Sequence, residues 1–339
     1  MIWLWSKKVS TYALVLIGLS ILIFIIARVV PGDPARLALG PRTPEETVQR
    51  LRQEMNLDKP IYLQYILWVE GILRGDFGKS LLTRRPVSED IREFLPATLE
   101  MVIISALFMI VGGITLGILS AKFTDTWLDG VIRIISYLGI VAPAFVWAII
   151  FMLIFGYLIP IFPITGRLSY GVIEPKFITG MYTIDGLLSG SLGTAKDAFM
   201  HLLLPAFSLC LGGLAQAARI TRSSMTDNMT KDYILGQYAY GIPEGVIFFK
   251  YLLKPSLIPT ISVMGLDIAA LFGNAFLVEL IFNFSGISKY GIQAMLNKDI
   301  NVISAVVMIL GLVFISVNIV IDIIVAFLDP RIRLMGRST

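Results

Sequence analysis

The 339-residue chain has one cysteine, Cys210, and one histidine, His201. A lone cysteine excludes an internal disulfide, so no loop is stapled covalently. A lone histidine excludes a metal site built on a histidine cluster. Charge is scarce as well: 15% of residues are Asp, Glu, Lys or Arg, against roughly 25% in an average soluble domain. The formal net charge of +4 is small for this length. It fits the basic bias of one membrane face and not nucleic-acid binding. A phosphate loop is missing too. Gly78-Lys79-Ser80 resembles the end of one, but Leu73 stands where its first glycine is required. Ser189-Gly190-Ser191-Leu192-Gly193 lacks the spacing of a nucleophile elbow. No catalytic residue and no metal ligand set is left to nominate.

What the chain does have is apolar sequence. Hydrophobic residues make up 56% of it, and the mean hydropathy is +0.80. Spanning a bilayer takes ~20 apolar residues as helix. Six segments meet that length, at about 11–30, 97–120, 133–158, 201–218, 258–282 and 302–327. The first is longer than the ~7–15-residue core of a signal peptide and lacks a small-residue cleavage site, so it reads as an uncleaved span. Gly112, Gly113, Gly117, Gly212 and Gly213 permit helices to approach closely. The expected fold is therefore an all-α membrane bundle.

Residues 31–95 form a long polar insertion after the first span, with ten basic and ten acidic residues. Thr43 suits the N-cap of a helix from Pro44, with Glu46 completing a capping box. Pro60 to Leu73 follows with Ile61, Tyr65, Trp68 and Ile72 on one helical face. This insertion serves either as a spacer or as a surface resting on the membrane or an external partner.

The positive-inside rule applies to short loops. Once the long first loop is left out, twelve Lys or Arg fall on the side of the N-terminus and five on the other. That puts Lys7, Lys8, both termini and the segment 219–257 inside.

Arg219 to Pro259 is the longest polar interruption in the second half. Ser223 to Tyr240 has helix formers and no proline. Gly241 is suited to stop that helix, because glycine takes the left-handed turn cheaply. Pro243 suits the first turn of a second helix, which carries Val246, Ile247, Phe249 and Leu253 with basic Lys250 and Lys254. A helix–break–helix at a membrane surface suits a docking platform; the same residues also suit an ordinary connecting loop.

Ionisable groups inside spans mark pathways or polar contacts between helices. Asp267 lies deepest in the fifth span, Asn274 follows one heptad on, and Glu279 lies near the end. Both the translocation path and a helix–helix contact remain open for all three. Asp322 reads as structural.

Several blocks carry a resemblance. They are Val30-Pro31-Gly32-Asp33-Pro34, Leu57-Asp58-Lys59-Pro60, Arg74-Gly75-Asp76-Phe77-Gly78-Lys79-Ser80, Leu95-Pro96-Ala97-Thr98-Leu99-Glu100, Leu204-Pro205-Ala206 and Leu328-Asp329-Pro330-Arg331-Ile332-Arg333. With Asp232, Tyr233, Ala239, Gly241, Pro243 and Pro255 to Pro259, they resemble the permease subunits of oligopeptide, dipeptide and nickel ABC importers, in order along nearly the whole chain. The match is to the first of the two permeases. In that family the 219–257 segment is the coupling loop that docks on an ATPase. Gln237, Tyr238 and Tyr240 depart from its usual small and basic residues. Asp267 stands where the family more often has an uncharged polar residue.

The resemblance implies a domain plan: N-terminus and first span at 1–30, an extracytoplasmic insertion at 31–95, and a transmembrane domain at 96–339 carrying the coupling loop between the fourth and fifth spans. It implies a multi-pass prokaryotic inner-membrane protein in an ATP-driven importer of short peptides. Nickel chelates, glutathione and oligosaccharides are the alternative solutes. Its implied partners are a second permease, two cytoplasmic ATPases that hold ATP and magnesium, an external solute-binding protein and membrane lipid. Asp232, Ala239, Gly241, Ile242 and Pro243 are the implied coupling residues, with Tyr238, Tyr240 and Phe249 as apolar anchors. A stand-alone secondary transporter is the competing class; it usually shows inverted repeats, and none is apparent.

Overall fold

The computed structural model describes residues 2–28, 34–40 and 42–328. The side chains of Lys7 and Lys8, residues 29–33 and the tail beyond Leu328 lie outside the described residues. No β-strand occurs among the described residues; one isolated bridge joins Lys79 to Pro86. The helices are α1 (Ile2–Arg28), α2 (Pro34–Leu39), α3 (Glu45–Glu54), α4 (Ile61–Leu73), α5 (Val87–Lys122), α6 (Trp127–Val141), α7 (Ala144–Phe151), α8 (Tyr182–Leu188), α9 (Leu192–Met229), α10 (Asp232–Ala239), α11 (Glu244–Val246), α12 (Lys254–Ile281), α13 (Ile287–Leu296) and α14 (Ile300–Leu328). A π-helical turn, Met152–Leu158, extends α7, and another, Ile247–Leu253, joins α11 to α12.

Two compact units emerge: 1–97 with 285–315, and 98–284 with 316–339. This division differs from the one drawn along the sequence, because α13 and the start of α14 group with the insertion.

In the first unit, Tyr65 and Trp68 of α4 pack on Phe24 of α1 at 5.2 and 5.8 Å between ring centroids. The Tyr65 hydroxyl also lies 2.8 Å from Ser20 Oγ. Ile61, expected on the same face, is exposed. Thr43 does not cap α3. Its hydroxyl donates back to the Leu39 carbonyl at 2.7 Å, and Pro44 takes the N-cap position. Buried Asp90 accepts from the Tyr290 hydroxyl at 2.6 Å and from Thr83 Oγ1 at 2.6 Å. Asp299 accepts from Ser80 Oγ and the Leu81 amide. The Gly78-Lys79-Ser80 stretch is thus tied down by Asp299, with Asn301 donating to the Lys79 carbonyl.

In the second unit α9 is the spine. Gly113 and Gly117 of α5 face Ala217 and Thr221 of α9, and Gly139 of α6 faces Ala215. A methyl group added at Gly117 would come within 2.5 Å of Thr221. Small residues four apart on both helices bring the backbones together where apolar lipid provides no hydrophobic drive. Met109, Cys210, Leu214, Ala217 and Met264 form the core around this contact. Buried Asp129 in the first turn of α6 takes both Nε and Nη2 of Arg222 on α9, at 2.7 and 2.8 Å.

Among the described residues four helices are long and apolar enough to cross a membrane: Val87–Lys122, Leu192–Met229, Glu244–Ile281 and Ile300–Val325. The segment expected to span continuously at 133–158 is instead broken. Pro143 lacks an amide proton, and the two halves, Trp127–Val141 and Ala144–Leu158, meet at 111°. Counted as one broken span they make a fifth. The described apolar stretch of α1, Ser10–Ile26, is shorter than these.

Candidate coupling site

The helix expected from Ser223 to Tyr240 is interrupted, its first part being the end of α9 and its second part α10. α9 runs on to Met229, and Thr230 and Lys231 break it. Lys231 adopts an extended conformation before α10 begins at Asp232. Asp232 sits in the first turn, where the helix dipole favours a carboxylate.

α10 ends as its glycine dictates. Gly241 has φ +70°. Its amide donates to the Tyr238 carbonyl at 3.0 Å, and the Ile242 amide reaches the Gln237 carbonyl at 3.2 Å. These two bonds form a Schellman cap, which satisfies carbonyls a helix end leaves open. Pro243 then occupies the N-cap position of α11. The π turn that follows ends where Pro255 enters α12. Pro255 cannot donate to a carbonyl one turn back, and the widened turn before it absorbs the misfit.

Ile234 of α10 and Ile247 and Leu252 of the π turn are buried with Ala121 of α5 and Met225 of α9, and Ile242 packs against this cluster. Asn228 ties the base together. Its side-chain amide donates to Ser256 Oγ at 2.9 Å and its oxygen accepts from the Tyr233 hydroxyl at 3.1 Å. Desolvation pushes that phenol's pKa above its ordinary value, so it stays a donor. Thr221 and Thr260 face each other at 3.0 Å between α9 and α12.

Among the described residues nothing covers the opposite face. Asp232, Ala239, Gly241 and Pro243 are exposed. Tyr240 is 85% exposed, Phe249 69% and Tyr238 53%. Ile242 is the exception among the expected coupling residues: it is half-buried and belongs to the base. The result is an aromatic surface on a base fixed to three long helices.

The three polar residues of α12 separate. Asn274 is exposed. Asp267 is half-buried near Gly213 of α9, and its Oδ2 is enclosed without a hydrogen-bond partner. Glu279 is fully buried and accepts a short hydrogen bond from Thr98 Oγ1 of α5. Asp267 and Asn274 are thus placed near one helical face, while Glu279 forms a contact inside the bundle.

One group escaped sequence reasoning. Glu100, nearly buried on α5, accepts from Arg167 at 3.1 Å and from the Tyr182 and Thr183 amides. Arg167 also stacks over the Tyr182 ring at 3.5 Å. A charged residue within an apolar span was the available signal for Glu100; its partners lie far along the chain. His201 is a packing residue, buried between the Gly166 carbonyl and Ser169 Oγ at 3.2 Å each.

Comparison with known proteins accounts for nearly the whole chain. Residues 113–334 match the family described as binding-protein-dependent transport system inner membrane component, and residues 1–102 match its N-terminal family. The chain is 37% identical over 320 residues to the probable D,D-dipeptide transport system permease protein of Escherichia coli K12, covering 94% of each. It is 34% identical to the dipeptide transport system permease protein of Alkalihalophilus pseudofirmus, covering 94% of this chain and 96% of that one. It is 32% identical to the glutathione transport system permease protein of Salmonella choleraesuis, covering 94% of each. With matches of this extent and a bundle of membrane-length helices, the chain belongs to the binding-protein-dependent transport system inner membrane components, as an ABC permease of the dipeptide type.

Proposed function

We propose that the chain is one of two permease subunits of an ATP-driven importer of short peptides. An external solute-binding protein delivers the peptide to the outer mouth. Two ATPase subunits, which hold ATP and magnesium, dock on the platform at α10 and α11. In this reading α1 and the broken α6–α7 pair complete six spans, and both termini and the platform face the cytoplasm. ATP and loaded binding protein drive transport only if each favours the same state of the spans.

The observation that carries the reading is the aromatic face of Tyr238, Tyr240 and Phe249 on a base packed into α5, α9 and α12. Exposed apolar patches on an ordered base mark sites of protein contact. Asp232, Ala239, Gly241 and Pro243 shape that face, and Ile242 holds it to the base. Motion of a docked ATPase passes directly into α9 and α12. Asp267 and Asn274 are assigned to the translocation path. Glu279, bonded to Thr98, supports the helix packing around it.

Uptake of labelled dipeptide by cells carrying Gly241→Arg tests the platform. Lost uptake with normal amounts of the protein in the membrane is the expected result; normal uptake removes the assignment. Competition between unlabelled dipeptide and glutathione tests the solute, and the 32% identity to a glutathione permease is the reason to include the latter.

A further inference from the structure

We infer that the second unit carries a binding site for a phosphate group, filled by the headgroup of an anionic membrane lipid. A cavity of about 190 Å³ opens between α6 and the polar end of α9. It is lined by Arg133, Arg219 and Arg222, with Ser136, Tyr137 and Ser223 among its other walls. A single water needs only ~10–15 Å³ of such space, so a phosphate group fits.

The three arginines play different parts. Arg222 is fixed by its two hydrogen bonds to buried Asp129. Arg133 lies 3.9 Å from the same carboxylate and is half exposed. Arg219 makes a long 3.3 Å contact to Gln216. Arg133 and Arg219 therefore keep donors for a ligand, while Asp129 holds the third guanidinium in place beside them. Asp129 is spent on Arg222, and Asp125 is the other acid close enough to act on that arginine. Planar guanidinium forks suit phosphate oxygens better than a point charge does, and hydroxyls complete the donor set.

The surroundings favour a lipid over a soluble anion. Arg219 directly follows the apolar stretch of α9, at the level where a membrane changes from hydrocarbon to headgroup. Ile134, Leu138 and Val141 lie beside and beyond Arg133 on α6 and are exposed. An acyl chain can run along them from a phosphate held at Arg133. Trp127, 79% exposed, opens α6 on one side of Arg133 along the helix, and Tyr137 follows one turn beyond it; aromatic rings of this kind are enriched at membrane interfaces.

Native mass spectrometry of the chain, purified with its bound partners in mild detergent, tests this. The probes are phosphatidylglycerol, phosphatidylcholine and inorganic phosphate. Wild type should retain phosphatidylglycerol over phosphatidylcholine. The double variant Arg133→Ala, Arg219→Ala should weaken that retention about thirtyfold, since each surface basic residue contributes a factor of roughly five toward anionic lipid. Equal retention by wild type and variant overturns the proposal. Inorganic phosphate displacing the lipid at millimolar concentration, and stabilising lipid-free protein equally, overturns the lipid assignment and leaves a soluble anion site. A photoreactive phosphatidylglycerol provides a readout on wild type alone: labelling within 127–137 and 216–223 supports the site, and labelling elsewhere refutes it.

Discussion

The α9 spine and the α10–α11 platform adjoin each other and are built on opposite terms. Along α9, Ala217, Thr221 and Ala215 meet glycines of α5 and α6, and 61% of its most apolar window is buried inside the chain. The spine finds its partners within its own sequence. On the platform, Ile234 and Ile247 are buried but Tyr238, Tyr240 and Phe249 are left open. The platform has one face covered in this way and the other exposed. Damage to the spine should therefore appear as lost fold, and damage to the platform as lost function in a folded chain.

The largest effect should come from the ion pair that fastens α6 to the spine. Asp129→Ala leaves Arg222 without its bidentate partner in a mostly buried place. Breaking one side of a buried pair destabilises by ~3–5 kcal/mol. Little protein should reach the membrane, and what does should unfold well below wild type in a detergent thermal melt. A melt unchanged by Asp129→Ala would show that the spine does not depend on this fastening.

Gly117→Leu attacks the same spine by volume. The new side chain meets Thr221 Cβ at 2.5 Å and the Ala218 carbonyl at 2.8 Å, neither of which can swing away. Overpacking of this kind costs about 1–3 kcal/mol. At Gly112 the neighbour is the end of the Leu214 side chain, which can move, so Gly112→Ala should be milder. Equal melts for Gly112→Ala and Gly117→Leu would erase the distinction between flexible and rigid neighbours.

Not all of this was legible in advance. The turn at Gly241 was, because the residue that permits a left-handed conformation is visible in one letter. The close faces of α5 were, because Gly113 and Gly117 lie four apart. Thr230 and Lys231, which end α9, carry no breaker; the helix stops because Ile234 and Met225 must meet in one cluster, a demand of packing. Pro143 was visible, yet the apolar length of 133–158 outweighed it, and the bend went unread. Thr43 has the identity of a cap but spends its hydroxyl on Leu39. Glu100 was visible as a lone charge, while its partners Arg167 and Thr183 come from sequence too distant for any local rule. Local chemistry was readable; long-range pairing was not.

Gly241→Ala moves to the platform. An added methyl meets no atom within 4 Å, so only the positive φ resists it. Holding an L-residue in that conformation costs roughly 1–2 kcal/mol, and the local cap loosens to relieve it. The melt of the whole chain should barely change while uptake falls several-fold. Gly241→Asn should keep more uptake than the alanine variant, since asparagine tolerates left-handed turns. A reversed order of the two would show that Gly241 matters for contact with its partner and not for backbone shape.

The smallest structural effect is expected at Asp267, on the α12 face that meets the spine. Its Oδ2 is enclosed without a hydrogen-bond partner, so the carboxylate does not hold α12 to α9. Asp267→Asn keeps the shape and removes the capacity for charge, and the melt should stay within about 0.5 kcal/mol of wild type. A transport role predicts a change in uptake that depends on the solute, larger for peptides with a free amino terminus than for the same peptides acetylated. If uptake of both falls equally, the residue acts on the moving bundle. If neither changes, Asp267 lies off the path, and of the two assigned residues only exposed Asn274 remains on it.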